Sequence, residues 1–168
     1  MPRQYDATLA FRLLSHAEIE ACLEDLSTST LAKALKAYQG DGSARLPLLA
    51  VLAFYGRGKL PSRKGDPQED FDASLLQAIT AHHRAVAKNN GLREHNVVTL
   101  MFPVGLLISD IDPVWLLQMD NFGQLRGATA HQSMRTQHPP DPVDERATVT
   151  ALLNGIGAID RKLVMLSL

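Results

Sequence analysis

The sequence predicts an all-α fold, an up-and-down helical bundle of about four to five helices forming a single domain over residues 1–168. Three observations predict it. Apolar residues recur at three- and four-residue spacing through nearly every long segment. The breaks between segments are mostly short and rich in Gly, Pro, Asn and Ser. The one stretch with strand character, Val97-Val98-Thr99-Leu100, suits a short helix better in that context. A chain of 168 residues can also bury a full core without disulfides or metals.

From Asp6 onward, Leu9, Leu13, Leu14, Ala17, Cys22, Leu23 and Leu26 mark a first helix over about Ala7–Leu26. A kink is expected at Ser27-Thr28-Ser29-Thr30, with continuation from Leu31 to Tyr38. Gln39 to Ser43 is loop chemistry. Arg45 to Tyr55 is strongly apolar and reads as a buried helix, with Pro47 placed in its first turn, where a missing N–H costs nothing. A basic loop follows at about 56–67, with Arg57, Lys59, Arg63 and Lys64 among its glycines and prolines. It reads first as a solvated connector and second as an electrostatic guide for a phosphate backbone.

Asp72 to Lys88 is the next helix, stopped by Asn89-Asn90-Gly91. Arg93 to Phe102 is a short element, and Asp112-Pro113 opens the helix that runs through Trp115 and Phe122. The proline-rich stretch 138–142 excludes regular structure, and a last helix is expected from about Asp144 to Leu166, softened by Gly155 and Gly157.

Bulk properties narrow the function classes. The net charge is −1, so no overall field announces nucleic acid or membrane as a partner, and a local basic site remains open. The single cysteine, Cys22, excludes a disulfide framework and fits a reducing compartment. Met1 to Asp6 is polar, and Arg12 and His16 break the first apolar stretch, so no signal peptide is expected. No run approaches the roughly 20 apolar residues of a membrane span. The expectation is a cytoplasmic protein with no membrane partner.

The segment Phe122-Gly123-Gln124-Leu125-Arg126-Gly127-Ala128-Thr129-Ala130-His131 places an Arg and a His five positions apart on one helix. Five positions turn a helix by about 140°, so the two do not share a stripe. Two copies of the helix across a two-fold axis bring the four side chains together more naturally. Gly127 is out of place in a helix interior, where glycine costs about 1 kcal/mol relative to alanine. With Ala128 and Ala130 it lets another backbone or a ligand approach closely. Spacing alone favours a plainer alternative, a small-residue packing seam with an incidental Arg and His.

The ordered run around the pair adds to this. Asn90-Gly91-Leu92-Arg93, Asn96, Leu100, Pro103-Val104-Gly105, Asp112, Trp115-Leu116, Asp120, Phe122-Gly123, Arg126-Gly127 and Ala130-His131 resemble the C-terminal half of HEPN domains of the RiboL-PSP-HEPN type. Phe11 to Glu20, with Leu23 to Leu26, resembles that family's first helix. The resemblance covers about Tyr5 to Ser133. It implies a HEPN-like helical bundle, usually a homodimer with the motif helices facing each other, and it puts the family's motif Arg and His on Arg126 and His131. Many members are metal-independent endoribonucleases of toxin–antitoxin or antiviral defence systems. Others only bind nucleotide or RNA, or serve as dimerisation and regulatory modules. Gly127 stands where many nuclease members carry Asn or another polar residue, although glycine is at home in this branch. Gln132, Ser133 and Met134 stand where one toxin branch carries a modifiable Tyr.

Histidine and arginine suit that chemistry on general grounds. RNA brings its own 2′-OH nucleophile, histidine exchanges protons near neutral pH, and arginine offers a fixed charge and a planar fork to phosphate oxygens. The expected products are a 2′,3′-cyclic phosphate and a 5′-OH, with no cofactor and no metal. The expected partners are an RNA substrate, a second copy of the chain and an antitoxin protein.

Other residues fall into supporting roles. Glu20 and Glu24 share a helix face with each other, and Asp25 adjoins them; they orient Arg126 or His131, or form a solvated face. His16, one turn before Glu20, joins that polar group or is a satisfied, partly buried histidine. Arg93 and Arg135 are surface charges able to line an RNA groove. His82-His83 and His95 lack the companions of a zinc site. Trp115, Leu116 and Met119 are expected in the core.

Overall fold

The computed structural model describes residues 2–56, 67–131 and 141–168; side chains are described from Asp6 onward, apart from Pro67 and 126–131. Most of the basic loop, residues 138–140 and Arg135 lie outside the described residues. Among the described residues six α-helices form the bundle: α1 (Pro2–Asp41), α2 (Leu46–Tyr55), α3 (Pro67–Val86), α4 (Glu94–Met101), α5 (Pro113–His131) and α6 (Pro142–Leu166). The described residues contain no strand. The count exceeds four to five because two of the elements, α2 and α4, are short helices of 10 and 8 residues.

Helix α1 is the axis of the fold and packs against each of the other five. At 40 residues it is about 60 Å long at 1.5 Å per residue. Ser27–Thr30, where a kink is expected, lie within the uninterrupted helix α1, and the hydroxyls there bond within the fold. Thr28 and Thr30 donate to the carbonyls of Glu24 and Leu26, four residues back, at 3.0 and 2.7 Å. Ser27 donates to the Leu100 carbonyl of α4 at 2.6 Å.

Side-chain pairings set the directions. Arg12 pairs with Glu145 and Arg45 reaches the Leu168 carbonyl, so α1 and α6 run parallel. His16 stacks on Phe122, with ring centroids 6.0 Å apart, while Trp115 Nε1 donates to the Leu152 carbonyl at 3.0 Å and Lys162 to the Asp110 carbonyl. Helix α5 is therefore antiparallel to both. Tyr38 donates to Asp72 at 2.8 Å and Ser27 meets His82, so α3 is also antiparallel to α1. Ile19, Leu23, Leu100, Met119, Phe122 and Leu152 lie at the centre of the core. Trp115, Leu116 and Met119 are buried, as expected.

Several boundaries differ from the sequence reading. Helix α3 starts at Pro67 and ends at Val86 instead of spanning Asp72–Lys88. Pro142, expected in irregular chain, is the first residue of α6, because Asp141 caps the helix by accepting from the Val143 and Asp144 amides. Asp112 accepts from the Val114 amide at 2.8 Å and opens α5 as expected. Helix α2 is only half buried: Pro47, Leu48 and Val51 face the core, whereas Leu46, Leu49 and Phe54 face solvent.

Gly155 packs directly under the Trp115 indole, and a Cβ there would land on the ring. Glycine-to-alanine in a helix ordinarily stabilises by about 1 kcal/mol. Here the sign reverses: Gly155→Ala is expected to lower unfolding stability in urea by roughly 1–3 kcal/mol through overpacking.

Candidate functional site

Backbone geometry places both motif positions on α5, which is helical without interruption through His131. The side chains of Arg126 and His131 lie outside the described residues, as do those of Gly127's neighbours through Ala130. The register of the helix still fixes their angular positions. Position 126 is seven residues beyond Met119 and four beyond Phe122 along the helix. Position 131 follows a different line, that of Val114, Leu117, Asn121, Gln124 and Ala128, at alternating spacings of three and four. Val114 and Leu117 are each 62% exposed, and Asn121 and Gln124 are exposed too. His131 lies nine residues past Phe122, about 14 Å along the axis. That carries the motif turn to the end of the bundle where α1 and α6 begin.

That end is fastened by a desolvated ion pair. Arg12 Nε donates to Glu145 Oε1 at 2.7 Å, and Nη2 donates to Oε2, a two-pronged contact between α1 and α6. The side chains are 12% and 6% exposed. Neither residue stood out in the sequence, since 133 positions separate them.

About two turns further along α1 is the polar group around Glu20. The Gly91 amide donates to Glu20 Oε1, and Asn89 Nδ2 donates to Glu24 Oε1 at 3.0 Å. Asn96 Nδ2 donates to Asn89 Oδ1 at 3.0 Å, and the Arg93 amide donates to Asn96 Oδ1 at 3.1 Å. His16 Nδ1 lies 3.6 Å from Glu20 Oε2. The solvated face considered for Glu20 and Glu24 is thus replaced by a lock that holds the 89–96 loop on α1. His16 is fully buried, not partly as its plainer reading had it, and it joins the Glu20 group. Gly91, with φ of +133°, adopts a backbone conformation that side chains oppose.

The same loop is tied to α5. Asp120 Oδ1 accepts from the Glu94 amide at 3.0 Å and from Arg93 Nε at 3.3 Å, so α5 supplies the cap of α4. The Glu94 amide, more than the Gln124 and Arg93 side chains, holds the Asp120 carboxyl below its ordinary range. Gly123 permits the approach: a Cβ there would sit 3.2 Å from the Arg93 nitrogen and the Leu92 carbonyl carbon. The described members of the run from Asn90 to Gly123 that carry these contacts set α4, its loop and α5 in place. Arg93 is exposed and pairs with Asp120.

The remaining histidines do not converge. His82 is buried against Ser27, whereas His83 and His95 are exposed. Among the described residues, no three His, Cys, Asp or Glu side chains are grouped to hold a metal ion. No described helix is long and apolar enough to cross a membrane. Comparison of the chain with protein-family models, curated proteins and solved structures found no match.

Proposed function

We propose that the chain is a metal-independent endoribonuclease of the HEPN type, acting as a homodimer in a toxin–antitoxin or antiviral defence setting. The observation that carries the reading is the outer stripe of α5. Val114 and Leu117 stand in solvent on a helix that a second α5 can cover, and the register of that stripe runs on to His131. Position 126 sits about 140° away, so each subunit presents the two motif positions on different flanks of one helix end. The lock formed by Glu20, Asn89, Asn96 and Asp120 supports this by giving α5 a fixed seat on α1 and α4.

In the proposed reaction the 2′-OH of one nucleotide attacks the adjacent phosphorus. One His131 accepts the 2′-OH proton, and His131 of the partner subunit donates a proton to the departing 5′-oxygen. Arg126 binds the phosphate oxygens and stabilises their growing charge. The P–O5′ bond breaks, leaving a 2′,3′-cyclic phosphate and a 5′-OH. Arg93, and Arg135 outside the described residues, serve as further contacts for the RNA backbone.

The test is incubation of the purified protein with mixed RNAs in EDTA, with product ends analysed chemically. Cleavage is expected to persist in EDTA, to leave cyclic phosphate ends, and to fall at least 100-fold in both Arg126→Ala and His131→Ala. Equal cleavage by folded His131→Ala and wild type would overturn the assignment. RNA binding without cleavage by the wild type would favour an idle binding module instead.

A further inference from the structure

Between α5 and α6 the fold leaves a cleft of about 480 Å³, within the roughly 300–1,000 Å³ of small-molecule sites. Its walls come from the 110–112 turn, the first turns of α5 and the later turns of α6, all of them described residues. Side-chain size creates it. Ala151, Gly155 and Ala158 recur along α6 at four- and three-residue spacing, so that face of the helix has little bulk to set against α5. The Trp115 indole tucks against Gly155 and is held there by its bond to the Leu152 carbonyl at 3.0 Å. With Ile159 it gives the cleft a buried apolar floor, the two being 6% and 3% exposed.

The polar groups around this floor fall into two sets. At the end formed by the 110–112 turn, the partners are already chosen. Lys162 donates to the Asp110 carbonyl, the Asp110 carboxylate accepts from the Leu107 amide at 3.2 Å, and Asp112 accepts from the Val114 amide at 2.8 Å. The walls instead carry two exposed carboxamides, Gln118 from α5 and Asn154 from α6. Neither side chain has a hydrogen-bond partner among the described residues. Each offers a donor and an acceptor side by side.

These groups select a ligand chemistry. A charged ligand of either sign would meet both Lys162 and the Asp110–Asp112 carboxylates, so neither sign is favoured. An aliphatic ligand would strip water from both carboxamides and return no hydrogen bond. A flat ring with an uncharged edge that both donates and accepts answers the floor and the walls together. We propose that the α5–α6 cleft binds a flat, uncharged heterocycle with an amide-like edge, the chemistry of a nucleobase, its ring on the apolar floor and its edge on Gln118 and Asn154. A free nucleoside and an unpaired base in a nucleic-acid strand both carry that edge. The site does not rest on the proposed nuclease activity: His131 lies thirteen residues beyond Gln118, roughly 20 Å along α5.

Trp115 is the chain's one tryptophan, so its fluorescence reports on this cleft. Titration of the full chain with uridine, cytidine, adenosine and guanosine should change that emission saturably with at least one of them, with a Kd below about 1 mM. Equilibrium dialysis of the same nucleoside should give the same Kd. Gln118→Leu and Asn154→Leu, both at exposed positions, should each weaken binding roughly tenfold with unchanged helical circular dichroism. Ala158→Phe, which fills the cleft, should abolish it. A deoxy-oligonucleotide of the preferred base lacks the 2′-OH and separates the sources: tighter binding than the nucleoside assigns the site to a strand, and weaker binding assigns it to the free ligand. No binding of any nucleoside or oligomer, or wild-type affinity in both Gln118→Leu and Asn154→Leu, overturns the proposal. Binding is read without any cleavage, so failure of this site and failure of the nuclease assignment give different results.

Discussion

Arg12→Ala is expected to cost about 3–5 kcal/mol of unfolding stability, one of the two largest effects anticipated for this chain. The cost arises from what remains. Glu145, only 6% exposed, keeps its charge between α1 and α6 and loses both donors. Its place in the first turns of α6 gives it some help from the free amides there, but amides do not replace a bidentate guanidinium. A domain of this size has about 5–15 kcal/mol in total, so the variant is expected to unfold at markedly lower urea. Arg12→Met with Glu145→Met should lose far less, because exchanging a buried pair for apolar volume is often neutral. A cost below about 1 kcal/mol for Arg12→Ala would mean that water reaches Glu145 and that the pair behaves as a surface one.

This pair also marks where sequence reading stopped. Helical period, caps and breakers located α2, α4 and α5 well, because those signals are local: Pro47 in a first turn, Asp112 ahead of Pro113, Gly91 after α3. The continuation of the first helix to Tyr38 was legible, but its unbroken passage through Ser27 to Thr30 was not, because these residues have poor helix propensity and their hydroxyl partners appear only in the folded chain. The exposed half of α2 was hidden for another reason. A helix that is apolar on every side has no contrast from which an outer face can be read. Asp141 before Pro142 was a legible cap that the surrounding prolines masked.

The site divides in the same way. The order of residues from Asn90 to Gly123 pointed to a fixed arrangement, and the structure gives Gly91, Asn96, Asp120 and Gly123 definite structural tasks. Spacing alone gave the 140° separation of Arg126 and His131, whose side chains lie outside the described residues. The contacts of Arg12 with Glu145 and of Ser27 with His82 span 133 and 55 positions, beyond any local pattern.

The pH dependence of stability is expected to centre on His82, which is fully buried. The Ser27 hydroxyl donates to the Leu100 carbonyl at 2.6 Å, so it accepts from His82 Nε2–H at 2.8 Å. That fixes the neutral tautomer with its proton on Nε2. Nδ1 meets no hydrogen-bond partner among the described residues, and the Tyr55 ring packs 5.8 Å from the imidazole. A second proton would therefore be added without an acceptor. Burial foremost, then the nearby charge of His83, pushes the His82 pKa down from 6.5 to about 4. Between those values the unfolded chain holds a proton that the folded chain does not, so stability rises with pH across the window. Acidification from about 6.5 to about 4 is expected to remove roughly 3 kcal/mol through this group, at about 1.4 kcal/mol per pKa unit. Below about pH 4 the folded form takes up the proton too, and the loss levels off. His82→Gln keeps an N–H for Ser27 and cannot titrate. Its stability, followed by urea unfolding from pH 4 to 7, should fall less steeply than that of wild type by this amount. Parallel curves for the two proteins would mean that the folded chain accepts the His82 proton as readily as the unfolded one does.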